Sequence, residues 1–191
     1  MDVAVGFRVK SGRAIAVLIA GSVQSPQVLD RRSIDLCDPA IPDSRQPYHA
    51  RMGRLQTDEA KVERLRKVIH GAAQQSVSEL FENYCISGHR IGAVALVIGS
   101  DIDPATVSNP HIRAHALEGR LFRTALEEAI RPWDLPCSAI VERHLYSRAA
   151  GVLRRSQFEL KRVVAELGQT MGSPWRADEK AAALAGWVAL V

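Results

Sequence analysis

The order of its segments constrains this chain more than any single residue does. Residues 2 to 9 (DVAVGFRV), 13 to 20 (RAIAVLIA) and 27 to 36 (QVLDRRSIDL) read as three successive strands, and every later segment alternates helix with strand. Lys10-Ser11-Gly12 separates the first two strands, and Gly12 can take a positive φ without steric cost, so they should pair as an antiparallel hairpin. In the third strand Val28, Ile34 and Leu36 alternate with Asp30, Arg32 and Asp35, the pattern of an outer strand with one wet face.

Residues 37 to 56 hold three prolines and little apolar periodicity, which predicts a long ordered connection. From Thr57 or Asp58 to Tyr84 apolar residues recur at three- and four-residue intervals, predicting a long helix with one buried face. Ile91 to Gly99 is continuously apolar, as expected for a central parallel strand covered on both faces. Ser108 or Asn109 followed by Pro110 opens a helix that should reach about Arg131, ahead of Pro132. A fifth strand is expected over Cys137 to Leu145, a helix from about Ser147 to Leu167 ending at Gly168, and a last, strongly apolar helix from Ala177 to Leu190.

A chain of 191 residues suits one core, so residues 1–191 are read as a single domain. No apolar run approaches the roughly 18 residues of a membrane helix, and the stretch at 14 to 21 fits a core strand better than a signal peptide. Cys37, Cys85 and Cys137 are odd in number and far apart, with no CxxC pair, which points to a reducing, cytoplasmic setting. The formal charge of +4 is compatible with nucleic-acid or phosphate partners without requiring them.

The succession β-β-β-α-β-α-β-α-α resembles the ribonuclease H-like superfamily, in particular its branch of Holliday-junction resolvases. The resemblance covers nearly the whole chain. It rests on the element order, on Gly6 ahead of the turn of strand one, and on Asp178 opening an alanine-rich final helix. It implies a ribonuclease H-like α/β fold, a mixed five-stranded sheet flanked by helices. In active members carboxylates at the ends of strands one and four and at the start of the last helix hold paired divalent cations that activate water. Here Phe7 and Arg8 stand where a Gly-hydrophobe-Asp pattern is expected, and a guanidinium repels cations. Asp101 and Asp103 lie just past strand four, Asp178 and Glu179 are kept, and Ala181 occupies the place of a second carboxylate in the last helix.

Four further clusters bear chemistry. Arg8, Lys10, Ser11 and Arg13 crowd the hairpin turn and could cradle a phosphate, although a solvated basic turn accounts for them too. His111, His115 and Glu118 fall at i, i+4 and i+7 and could bind zinc or manganese, or simply form an exposed polar face. Glu142 and His144 should share one face of strand five, where Glu142 could meet Asp101 and His144 could act as a general base. Asp38, Asp43, Arg45, Tyr48 and His49 in the proline-rich loop suggest a lid or a partner-binding loop, against a packed structural loop. The final helix has almost no polar face, which suggests burial of one flank by a second subunit in a homodimer.

Three functions follow. The first is a non-catalytic or altered ribonuclease H-like protein that binds a phosphate-bearing ligand, nucleic acid or a protein partner, with Arg8, Lys10, Ser11 and Arg13 as anion contacts. The second is a nuclease or phosphohydrolase, the one case that calls for a divalent metal, with Asp101, Glu142 and Asp178 as ligands and His144 or His115 assisting. The third is an assembly protein without a small ligand.

Overall fold

In a computed structural model that describes residues 2–50 and 54–191, one five-stranded sheet runs in the order β3-β2-β1-β4-β5. The strands are β1 (Asp2–Lys10), β2 (Arg13–Gly21), β3 (Pro26–Asp35), β4 (Arg90–Ile98) and β5 (Cys137–Val141). β1 pairs antiparallel with β2 and β2 with β3, whereas β1 with β4 and β4 with β5 are parallel. The mixed sheet is therefore the expected one, and Gly12 turns the first hairpin at φ 77°.

Alternation along the strands divides the interior into two layers. Val3, Val5, Phe7 and Val9 of β1 meet α1 (Glu59–Ile86) and α2 (Pro110–Ile130) on one face. Ile15, Val17 and Ile19 of β2, with Ala95 and Val97 of β4, face α3 (Leu145–Leu153), α4 (Gln157–Leu167) and α5 (Ala177–Ala189) on the other. α1 starts where Asp58 accepts a hydrogen bond from the Lys61 amide, and α2 where Asn109 caps the His111 and Ile112 amides ahead of Pro110.

The central packing contact is α5 on β1. A Cβ at Gly6 would lie 1.9 Å from the Ala182 carbonyl oxygen and 2.4 Å from the Gly186 nitrogen, so glycine alone permits this approach. Every residue of α5 from Ala181 to Val188 is buried, and β1, β2, β4, α3 and α4 of the same chain cover the helix. The apolar surface that suggested a second subunit is thus covered within one chain.

Three expectations change. β5 stops at Val141, because its ladder partner β4 stops at Ile98; Glu142–His144 is a 3-10 turn rather than strand. The helix expected over 147–167 is two helices, broken where Arg154 takes a left-handed φ of 51° and Ser156 opens α4 in a capping box with Glu159. The proline-rich loop contains a 3-10 turn, Pro42–Arg45, and an antiparallel bridge between His49 and Leu55. Part of that loop, residues 51–53, lies outside the described residues. No helix among the described residues is long and apolar enough to cross a membrane.

Candidate functional site

Even-numbered residues of β1 face α5, and where the strand leaves the packed zone of Ala4 and Gly6 it carries Arg8, only 4% exposed. A buried guanidinium must find acceptors for its fork of donors. Arg8 donates through Nη2 to Glu142 Oε2 at 2.5 Å, and through Nη1 to the Val9 and Val97 carbonyl oxygens at 3.1 and 3.3 Å. Its Nε lies 3.6 Å from Asp178 Oδ1, close enough to pair charges but beyond hydrogen-bond reach, and Nε has no hydrogen-bond partner. Lys10 Nζ reaches the same Asp178 oxygen at 3.1 Å. Two cations and two carboxylates thus form a closed, charge-balanced cluster at the ends of β1 and β4 and the start of α5.

The cluster accounts for most of the residues expected at a metal centre, in a different arrangement. Glu142 comes from the 3-10 turn after β5 and Asp178 from the first turn of α5, and both converge on Arg8. Asp101 does not join them: it is exposed, and Arg123 of α2 holds it at 2.8 Å. Glu142 therefore faces the guanidinium rather than Asp101. His144 turns its Nε2 toward Arg143 Nε at 2.9 Å on the exposed surface, away from the one-face alignment with Glu142 that a continuing strand would have produced. Arg8, expected as an anion contact, points inward and is held by protein acceptors; its carboxylate partners lay too far along the chain for local spacing to reveal them.

A second feature was not visible in the sequence. Beside the hairpin turn, the edge of β2 and β3 and the start of α5 frame a cavity of about 410 Å³ lined by Arg13, Arg31, Arg32 and Arg176, with Asp178 and Glu179. Arg32 is held by Asp30 at 2.6 Å, and Arg31 by the Gly172 and Pro174 carbonyl oxygens. Among the described residues Arg13 and Arg176 take part in no ion pair. Arg32 turns its side chain to the other face, where Asp30 holds it, so Arg13, Arg31 and Arg176 against Asp178 and Glu179 leave the cavity cationic. The only local hint was the alternation in β3, which sends Arg31 and Asp35 to one face and Arg32 to the other. Ser11, by contrast, lines a separate cavity of about 440 Å³ with Gly12, Arg13, Cys37 and Arg45.

No family model matches the sequence, and no curated protein matches it. Solved structures do. Thermus thermophilus RuvC superposes with a TM-score of 0.58 over 97% of this chain and 92% of that one, at 13% identity. The same T. thermophilus protein in complex with a Holliday junction substrate superposes equally, over 98% and 92%, again at 13% identity. With the strand order and the helix layers, this likeness shows that the chain has a ribonuclease H-like α/β fold, arranged as in T. thermophilus RuvC.

Proposed function

We propose that this chain is a non-cleaving ribonuclease H-like protein that binds the phosphate backbone of nucleic acid. The observation that carries the proposal is Arg8. Where two-metal chemistry needs clustered carboxylates around hard cations, the chain supplies its own cations, and Arg8 with Lys10 balances Glu142 and Asp178. A divalent ion would have to displace a buried, multiply hydrogen-bonded guanidinium. The arginine-lined cavity at the same end of the sheet provides the attraction for phosphate, with Arg13 and Arg176 as its principal contacts. The neighbouring structure of RuvC with a Holliday junction substrate makes branched DNA the first ligand to try.

Fluorescence anisotropy with labelled duplex and four-way-junction DNA tests this directly, with denaturing gels after incubation in magnesium. The expected result is binding that weakens steeply with salt, no strand cleavage, and a salt slope lowered by about 2 in the Arg13→Ala/Arg176→Ala double variant. Magnesium-dependent cleavage that disappears in Asp178→Asn would replace the proposal with a nuclease. Absence of binding to either DNA at low salt would leave the arginines without this role.

A further inference from the structure

On the opposite side of the sheet from α5, the first two turns of α2 and the proline-rich loop bring three imidazoles together. His111 and His115 are one turn apart on α2, and His49 approaches from the loop beside its bridge to Leu55. Their rings pack with centroids 4.5 to 5.2 Å apart. One nitrogen of each ring lies within 4.8 Å of one nitrogen of each of the others. His111 Nε2 and His115 Nε2 stand 3.3 Å apart. Two nitrogens held at 2.0–2.1 Å from a tetrahedral ion are separated by about 3.3 Å, so this edge already has the length such an ion requires.

Behind the imidazoles stands Glu118, fully buried on α2. Its Oε1 lies 2.7 Å from His49 Nδ1, and its Oε2 lies 3.7 Å from His115 Nδ1. A carboxylate that takes the Nδ1–H of an imidazole fixes the ring's tautomer and turns Nε2 forward as a ligand atom. His49 Nε2 is buried and has no hydrogen-bond partner, the state of a ligand nitrogen before its ion is added. Burial drives the Glu118 carboxyl above the usual range, while the His49 hydrogen bond works against that shift.

We infer that His49, His111 and His115 form a zinc site, with Glu118 as its positioning carboxylate and a fourth coordination position open to solvent. Three neutral nitrogens suit a borderline divalent ion such as Zn²⁺, whereas Mg²⁺ and Ca²⁺ prefer oxygen. Because one ligand lies in the loop and two on α2, the ion would clip that loop to the helix. The inference rests on a different cluster from the nucleic-acid proposal and stands or falls separately.

The experiment is calorimetric titration of the untagged, chelator-treated chain with zinc chloride, followed by the absorption spectrum of the cobalt-substituted protein. One equivalent should bind, the cobalt form should show the intense bands of tetrahedral coordination, and thermal stability should rise with zinc. His111→Ala and His115→Ala, both at exposed positions that a folded chain tolerates, should each abolish the stoichiometric binding with the circular dichroism unchanged. Glu118→Gln keeps the shape and should weaken binding 10–100-fold. Equal zinc binding by wild type and His111→Ala/His115→Ala would overturn the inference, as would no saturable binding by the wild type. An octahedral cobalt spectrum would overturn the three-nitrogen tetrahedral geometry.

Discussion

The Arg8 cluster and the histidine cluster solve opposite problems with similar parts. At the first, two carboxylates meet two cations that the chain itself supplies, Arg8 and Lys10, so nothing need be added for charge to balance. At the second, three imidazoles converge with a carboxylate behind them and with an unsatisfied buried nitrogen at the front. The resolvase-like pattern that the element order resembles implies metal-holding carboxylates at the first position. In this chain the ends of β1 and β4 and the start of α5 hold an ion-pair network, and the ligand-like geometry lies on the other face of the sheet. Scaffold position alone therefore does not say where a metal belongs; the donor atoms and their satisfaction do.

The strongest way to break the contrast is Arg8→Asp. Three carboxylates would then face Lys10 alone, where the wild type balances two cations against two anions. Glu142 and Asp178 are partly exposed, so the loss belongs near the lower end of the range for a broken buried pair, about 3 kcal/mol. Magnesium should then raise the variant's urea midpoint while leaving that of the wild type where it is, because only the variant offers an unneutralised oxygen site. A variant as stable as the wild type, or indifferent to magnesium, would mean that Arg8 does not stand in for a metal.

Gly6→Ala separates the two clusters from each other. The added methyl would meet the Ala182 carbonyl oxygen and push α5, with Asp178 at its start, off β1. Overpacking against backbone costs about 2–3 kcal/mol. If the two faces of the sheet are independent, a chain that still folds keeps its zinc stoichiometry, because the imidazoles are held by α2 and the loop. Denaturant melts and a zinc titration on the same sample check both halves, and a lost zinc site would show that the faces are coupled.

How much of this was legible in the sequence follows the range of the interactions. The hairpin, β4, α1, α2 and α5 announce themselves because their residues repeat with period 2 or 3.6, or are apolar throughout. The break between α3 and α4 was also written locally, in Ser156 and Glu159, and yielded to the longer apolar pattern around it. The clusters were half legible. Arg8 reads as incompatible with a metal, yet its partner Glu142 is 134 residues away and no local period links them. His111 and His115 were legible by spacing, His49 was visible as one polar residue of a loop, and nothing short of the fold joins them. Glu118 could have been placed: Ala114, Leu121 and Phe122, its neighbours along the helix, are all buried, so a glutamate in that stripe needs an inward partner.

The finest distinction between the two clusters concerns preorganisation. Arg8 stands on a central strand, whereas His49 depends on a loop whose order comes from a few hydrogen bonds. Ser44, fully buried, contributes two of them: its hydroxyl donates to the Ile41 carbonyl oxygen at 2.6 Å and accepts from the Asp38 amide at 3.2 Å. Removing them in Ser44→Ala leaves a half-buried Asp38 amide without that acceptor and should cost about 1 kcal/mol. The loosened loop must then be ordered when the ion binds, so zinc affinity should fall several-fold while DNA binding at the far face is unchanged. Parallel zinc and DNA titrations read both. Unchanged zinc affinity would mean that Glu118 alone fixes His49, and the loop would then be cargo of the site rather than part of its frame.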